Sequence, residues 1–134
     1  MIPFFIDTNI PIYASGNLHP HKQPSSNLLK KVALGQQVGV SSSEVLQEIL
    51  YRYWAIHQPE KGRLVFESFL KIVPVILSVT KQDAVLALNL LIQHPQLSPR
   101  DAIHLAVMKR HGLIIIYSYD RHLDEVEGIK RVEP

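Results

Sequence analysis

The sequence predicts an α/β fold, a three-layer α/β/α sandwich around a central, mainly parallel sheet of four to five strands. Two observations predict it. Short apolar segments of strand length alternate along the chain with longer segments of helical period. The first strand, within residues 2–6, is apolar throughout, as expected for a strand covered on both faces of a parallel sheet.

Length and composition limit the class of protein. The 134 residues fit one domain, residues 1–134, and 46% apolar residues favour a packed core over disorder. The 14 basic and 12 acidic residues give a net charge of +2, which neither requires nor excludes nucleic acid. The absence of cysteine excludes disulfides and thiol chemistry. No apolar run approaches the ~20 residues of a membrane helix. We therefore expect a cytoplasmic protein without membrane contact.

The first quarter of the chain contains two predicted helices and a strand. Residues 8–15 read as a short helix or turn, and residues 16–24 as an exposed loop. Ser25 and Ser26 are candidate caps for a helix that ends at Gly35. Residues 37–40 form a second short strand.

The middle of the chain begins with a capping signal. Ser41 and Glu44 match a capping box, which predicts a helix that fades near His57. Another helix follows over residues 60–71. A third strand lies within residues 72–79, where Pro74 limits pairing on both sides.

The last part of the chain alternates helix and strand twice more. Thr80 and Asp83 cap an apolar helix over residues 80–93, and a second helix runs over residues 98–111. Pro99 near the start of this second helix and Gly112 just past its end stand where helices favour them. A strand over residues 113–117, a short helix or turn to residue 125 and an edge strand over residues 129–132 complete the fold.

Three aspartates stand where functional side chains are expected in such a fold. Asp7 follows the first strand and Asp120 follows the fourth, so parallel strands would bring both to one edge of the sheet. Asp101 lies in the first turn of a helix. Each has a structural alternative as a helix cap or capping-box partner. The three aspartates together, rather than any one of them, indicate a functional site.

Two glutamates on one helix compete for a fourth place. Glu44 lies almost opposite the apolar face and has a capping role, whereas Glu48 lies at the rim of that face. We therefore favour Glu48. Its structural alternative is an ion pair with Arg52, four residues later.

Carboxylates that share a pocket repel one another, and a divalent cation removes that repulsion. Oxygen ligands without cysteine or a histidine pair suit Mg²⁺ or Mn²⁺ rather than zinc. The expected cofactor is therefore one or two Mg²⁺ (or Mn²⁺) ions, which could support attack of water on a phosphodiester.

Four sequence blocks stand out: residues 5–9 (FIDTN), 40–50 (VSSSEVLQEIL), 97–106 (LSPRDAIHLA) and 116–121 (IYSYDR). In order and spacing they resemble PIN-domain ribonucleases, and more narrowly the VapC-type toxins of toxin–antitoxin pairs. The resemblance covers nearly the whole chain. It implies a PIN-like fold with the family's four catalytic and metal-binding acids at Asp7, Glu48, Asp101 and Asp120.

The resemblance also implies supporting residues and partners. Thr8 and Asn9 would orient Asp7, Ser118 would support the site, and Asp124 is a candidate outer acid whose alternative is a place on the helix surface. The family implies metal-dependent endonucleolytic cleavage of single-stranded RNA, a homodimer, and an antitoxin whose tail blocks the acidic pocket.

Two arginines and three histidines are further candidates. Arg100 and Arg121 are each one step from an acid, so either could hold a substrate phosphate or form a surface ion pair. His104 shares a helix side with Asp101, so it could hydrogen-bond near the site, but a role as a partly buried structural residue is favoured. His19 and His21 lie in the expected loop and read as solvated.

Three other functions compete with the toxin. An RNA-processing nuclease without an antitoxin would keep the same site. A phospho-acceptor signalling domain would need an acceptor Asp after a middle strand, and the third strand ends without one. A catalytically inactive binding module would be expected to lack some of the four acids, which are all present.

Overall fold

The computed structural model describes all 134 residues, Met1–Pro134. Five strands form one sheet, in which every pair is parallel and the order is β3-β2-β1-β4-β5. The strands are β1 (Phe4–Ile6), β2 (Gly39–Ser42), β3 (Val75–Leu77), β4 (Ile115–Tyr117) and β5 (Lys130–Val132). The predicted α/β/α sandwich with a mainly parallel sheet of four to five strands is confirmed.

Six α-helices and one 3₁₀ helix connect the strands. They are α1 (Asn9–Ala14), α2 (Lys22–Ala33), α3 (Ser43–Ala55), α4 (Pro59–Ile72), α5 (Lys81–Gln93), α6 (Pro99–Arg110) and the 3₁₀ helix Arg121–Glu125. Helices α1 and α2, α3 and α4, and α5 and α6 pack in pairs. None of these helices has the length and apolar run needed to cross a membrane.

The central position of β1 explains its uniformly apolar sequence. Phe4, Phe5 and Ile6 are all buried, and they belong to one core cluster of buried residues. The edge strand β3, which follows Pro74, pairs only with β2. Proline has no backbone N–H to donate to a neighbouring strand, and this loss is tolerated at the edge of a sheet.

Helix α2 begins earlier than predicted. It starts at Lys22, so Pro24 lies in its first turn, where a missing backbone N–H leaves no intrahelical bond unmade. Ser25 is therefore not a cap: it is fully buried, and its hydroxyl lies 2.8 Å from the hydroxyl of Tyr119. The predicted end of this helix holds, because Gly35 adopts φ +72, which other residues rarely do.

The start of α3 is shifted by one residue from the predicted capping box. Ser42 is the N-cap, with its hydroxyl accepting from the backbone N–H of Glu44 at 3.2 Å. Ser41 instead donates to the backbone carbonyl of Ile6 at 3.0 Å. The cause is that β2 continues through Ser42, which pairs with Leu77 of β3.

The last two predicted caps are confirmed. Thr80 and Asp83 form both bonds of a capping box at the start of α5. The hydroxyl of Ser98 accepts from the backbone N–H of Asp101 at 3.2 Å. This bond caps α6 and places Asp101 in its first turn.

Candidate active site

The order in which successive strands are added to the sheet reverses between β1 and β4. From β1 the chain proceeds to β2 and β3 on one side, and the later strands β4 and β5 lie on the other. Open parallel sheets place ligands beyond the carboxyl ends of their strands at such a point. Asp7 follows β1 directly, and Ser118 and Asp120 follow β4.

A cavity of about 490 Å³ opens at this edge of the sheet. Its lining includes all four acids picked from the sequence, Asp7, Glu48, Asp101 and Asp120. They come from the end of β1, the second turn of α3, the first turn of α6 and the segment after β4. Four separate parts of the chain therefore deliver carboxylates to one cavity.

Asp7 is the most tightly held of these acids. Its side chain is buried, and Oδ1 accepts from the backbone N–H of Thr8 at 2.7 Å. Oδ2 accepts from the hydroxyl of Ser118 at 2.6 Å and from the amide of Asn9 at 3.4 Å. Burial, together with the charge of Glu48, raises the pKa of Asp7, against the opposing effects of His104 and these hydrogen bonds.

Ser118 connects two of the acids. Its hydroxyl donates to Asp7 and accepts from the backbone N–H of Asp120 at 3.0 Å. The amide of Asn9 also donates to Ser118 at 3.1 Å, and the Asn9 carbonyl oxygen accepts from the backbone N–H of Tyr119 at 3.4 Å. Asn9 and Ser118 thus tie the end of β1 to the end of β4.

Glu48 faces a buried histidine on the neighbouring helix. Nε2 of His104 lies 2.6 Å from Oε1 of Glu48 and 3.5 Å from Oδ1 of Asp7. The contact is an ion pair by distance, without the straight N–H···O geometry of a hydrogen bond. Burial alone would lower the pKa of His104, but Glu48, Asp7 and Asp101 together raise it to about 9. The surrounding acids therefore favour the protonated imidazole, which places a cation among them.

This finding corrects the interpretation of His104 as a partly buried structural residue. The side chain is only 1% exposed, and it contacts two of the four acids. The signal in the sequence was its spacing three residues after Asp101 on α6. What the sequence could not show was how closely α3 approaches α6.

The pKa of Asp101 is also strongly raised. Burial, the hydrogen bond to the carboxyl of Asp120 and the charge of Asp7 raise the pKa of Asp101 to about 8. Carboxylates that crowd one site raise one another's pKa in this way. The acids repel one another, and a divalent ion would relieve that repulsion.

The donor set fits a divalent cation. Ligand atoms of Asp7, Asp101 and His104 lie within 4.8 Å of one another. In its protonated form His104 has no lone pair to offer a metal, whereas the carboxylate oxygens of Asp7 and Asp101 remain available. Oxygen donors of this kind suit a hard cation.

Other predicted residues lie outside the cavity lining. Asp124 pairs with Arg131 at 2.8 Å on the surface, and this pairing lowers the pKa of Asp124. Arg121 is exposed and does not line the cavity. Glu44 does not line it either, and burial and the charge of Glu48 raise its pKa.

Two arginines do line the cavity. Arg100, proposed from the sequence, lies over the ring of Tyr51 at 5.3 Å. The sequence indicates Arg52 only as an ion-pair partner of Glu48, but Glu48 pairs with His104 and Arg52 lines the cavity. Its position one turn after Glu48 was the available signal.

The two histidines of the first loop are not simply solvated. His21 stacks on Tyr119, with ring centroids 3.8 Å apart and planes inclined by 12°. His19 packs against Tyr13, with ring centroids 4.7 Å apart, and it lines the cavity together with that tyrosine. The prediction of solvation was wrong for His21, because Tyr119 arrives from a segment almost 100 residues away, whereas His19 is exposed as predicted.

Comparison with known proteins decides the family. The family model described as the PIN domain matches residues 4–129. The chain belongs to the PIN domain family. Nucleases with this domain use divalent metals, in agreement with the acidic cavity.

Curated and solved proteins resemble this PIN domain over nearly its whole length. Ribonuclease VapC13 of Mycobacterium tuberculosis is 39% identical over 127 residues, which cover 95% of this chain and 97% of that protein. The crystal structure of VapC20 of the same species, a toxin described as cleaving the sarcin–ricin loop, superposes with a TM-score of 0.79 at 20% identity and covers 98% of this chain and 99% of that one.

A further solved neighbour comes from Klebsiella pneumoniae and is described as a toxin–antitoxin complex. Its TM-score is 0.64 at 20% identity, with 94% of each chain covered. At this identity the two structural likenesses establish the fold alone. The likeness to VapC13 extends to the sequence.

Proposed function

We propose that this PIN domain is a metal-dependent endoribonuclease that hydrolyses phosphodiester bonds of single-stranded RNA. The observation that carries the proposal is the convergence of Asp7, Glu48, Asp101 and Asp120 on one cavity at the sheet edge. The 39% identity to a ribonuclease over 95% of the chain supports the same reaction.

We propose that the carboxylates of Asp7, Glu48, Asp101 and Asp120 hold one or two Mg²⁺ ions, or Mn²⁺ in their place. A bound ion would supply an activated water and would neutralise charge on the phosphodiester. Asp7 is oriented for this role by Thr8, Asn9 and Ser118, whose donors occupy the sides of its carboxylate.

The remaining polar residues position the acids and the substrate. His104 lies between Glu48 and Asp7, and its contacts with both carboxylates hold the two side chains beside the cavity. Arg100 and Arg52 offer guanidinium groups to the phosphates of a bound strand. Water attacks phosphorus, the bond to the leaving ribose oxygen breaks, and that oxygen takes up a proton.

We further propose that the chain is the toxin of a toxin–antitoxin pair and forms a homodimer. The relatives named VapC and the neighbour described as a toxin–antitoxin complex support this assignment. Copurification with any small protein encoded beside its gene, followed by inhibition of cleavage by that protein, tests it. If the nuclease kept full activity with that small protein bound, an RNA-processing nuclease without an antitoxin would be favoured instead.

The experiment that tests the nuclease is cleavage of a mixed single-stranded RNA pool by the purified protein with Mg²⁺, with Mn²⁺ and with EDTA. We expect cleavage with either metal, none with EDTA, and none by the Asp7→Asn variant. Cleavage that persists in EDTA or in the variant would contradict the proposed site. Folded protein that cleaves nothing but binds metal or RNA would favour the inactive binding module.

A further inference from the structure

The cavity at the sheet edge has three chemically distinct walls. One carries the four carboxylates, and a second carries the guanidinium groups of Arg52 and Arg100. The third is formed by the end of α1 and the loop after it, where Tyr13 and His19 contribute rings. Metal, phosphate and base are the three things that a ribonuclease must hold, and the first two walls account for only two of them.

The third wall belongs to a cluster of four rings. Tyr13 packs edge-on against Tyr119 at 5.2 Å and against His21 at 5.0 Å, while His21 stacks on Tyr119. His19 completes the cluster, 4.7 Å from Tyr13 and 4.8 Å from His21. Tyr119 and His21 form its inner layer, and Tyr13 and His19 form the layer that faces the cavity.

The loop that carries His19 is held in place by hydrogen bonds. Nδ1 of His19 accepts from the backbone N–H of His21 at 3.0 Å, which fixes the orientation of the imidazole. The ammonium of Lys22 donates to the carbonyl of Gly16 at 2.7 Å, and the backbone N–H of Lys22 donates to the carbonyl of His19 at 3.0 Å. An exposed ring that is already oriented loses little freedom when a ligand stacks on it.

We propose that Tyr13 and His19 form a base-stacking subsite that holds an unstacked nucleobase of the RNA strand beside the phosphodiester that is cleaved. The proposal rests on the proposed ribonuclease function and adds the part that contacts a base. Aromatic faces bind every base, so the subsite positions a nucleotide without selecting one base strictly. It requires the strand to be single at that position, because a paired and stacked base cannot enter.

Two exposed aromatic residues elsewhere do not offer the same site. Tyr51 is covered on one face by the guanidinium of Arg100, and neither Tyr51 nor Trp54 lines the cavity. Exposed polar loop residues beside the rings, such as Asn17, do line it and offer groups for the edge of the base.

The test compares His19→Ala with His19→Phe in cleavage of a short single-stranded RNA. His19 is exposed, so truncation leaves the fold intact. We expect His19→Ala to raise KM by about 5- to 20-fold with kcat nearly unchanged, since stacking on one aromatic side chain is worth a factor of this order. His19→Phe should restore most of the loss in KM, because it keeps the ring although it loses the hydrogen bond from the backbone N–H of His21. His111→Ala is the matched control, an exposed histidine away from the cavity.

A second measurement identifies the stacked nucleotide. Substrates with a single abasic position, moved one nucleotide at a time, should show one position that raises the KM of the wild type and has no further effect in His19→Ala. Independent effects of the abasic position and the variant at every position would overturn the proposal. An unchanged KM in His19→Ala would also overturn the proposal. The same holds if that variant leaves KM unchanged and only weakens the binding of an antitoxin.

Failure of the nuclease assignment is distinguishable from failure of the subsite. If the wild type cleaves no RNA, the proposed function fails. The subsite is then tested by the binding of a fluorescently labelled oligonucleotide in the presence of Ca²⁺. Weaker binding by His19→Ala, restored by His19→Phe, would support the aromatic wall, and equal binding by all three proteins would overturn it.

Discussion

The hydroxyl of Ser118 donates to Oδ2 of Asp7 across 2.6 Å, and this bond joins the ends of the two central strands β1 and β4. The same hydroxyl accepts from the backbone N–H of Asp120. Ser118 therefore determines where two of the four acids stand relative to each other. Residues that orient ligating carboxylates in this way influence metal affinity without touching the metal.

Ser118→Ala should weaken metal binding by about 10- to 100-fold, the usual cost of removing a group that orients a ligand. Titration calorimetry with Mg²⁺ or Mn²⁺ measures it. Ser41→Ala is the matched control, because Ser41 is also a fully buried serine but bonds only to the backbone carbonyl of Ile6. Both variants should lose about 1 kcal/mol of stability. Equal metal affinity in the two variants would show that Ser118 has no special role.

The two glutamates of α3 should differ sharply when each is neutralised. Glu48→Gln removes a carboxylate that lines the cavity and leaves the His104 cation without its closest partner. Its cleavage rate should fall by about 100-fold or more, the scale seen when a catalytic constellation is disturbed. Glu44→Gln, outside the cavity lining, should retain activity close to that of the wild type. Similar rates for Glu48→Gln and the unmodified chain would refute the choice of Glu48.

Both glutamine variants need a check of folding. Thermal unfolding followed by circular dichroism serves this purpose. Loss of activity in Glu48→Gln with a retained cooperative transition would separate a role in the site from simple unfolding.

The sheet and the meeting of the acids could be predicted because they depend on local signals. An apolar run followed by Asp7 identifies the carboxyl end of a buried strand, and parallel strands must present such ends at one edge. The caps at Thr80 and Ser98 are equally local, since the bonds span three residues.

Features that depend on distant packing could not be predicted. The stack of His21 on Tyr119 joins residues almost 100 positions apart. The contact of His104 with Glu48 depends on how α6 lies against α3. The true cap of α3 is set by the pairing of Ser42 with Leu77 of the neighbouring strand. Local sequence contains no signal for these three arrangements.

Neutralising Asp101 should stabilise the metal-free protein. The pKa of Asp101 is raised to about 8 by burial and by its acidic neighbours, so the folded state resists its ionisation. The cost of ionisation therefore grows as pH rises from the unfolded pKa toward 8. In EDTA at pH 8, Asp101→Asn should be more stable than the wild type by about 1–2 kcal/mol, after allowance for solvent screening.

Addition of Mg²⁺ should reverse that order. The wild type gains stability by binding the ion, whereas the asparagine variant has lost a ligand. Urea unfolding with and without the metal gives both comparisons, and Glu127→Gln, at an exposed acid, is the control. If Asp101→Asn were less stable than the wild type in EDTA, crowding of the acids would not be the cause of the raised pKa.

An ion pair outside the cavity should make the free energy of unfolding depend on pH in the acid range. Asp83 is buried at the start of α5, and its two oxygens receive Nε of Arg110 at 2.7 Å and Nη2 at 3.1 Å. The bond to Arg110 lowers the pKa of Asp83, in spite of burial, and Thr80 contributes further donors. The pair fastens the start of α5 to the end of α6.

Because the pKa of Asp83 is lowered in the folded state, the stabilisation is complete above the unfolded pKa near 4. It is lost as pH falls through the lower folded value. Asp83→Asn should therefore lower the free energy of unfolding by about 2–3 kcal/mol at pH 7. This is less than the loss expected on breaking a fully buried ion pair, because Arg110 is partly exposed. The cost should shrink at pH 3, because acid protonates the wild-type carboxyl and removes the same charge. Urea unfolding at pH 7, 5 and 3 measures it, and a cost that does not change with pH would mean that packing, rather than the charge of Asp83, joins the two helices.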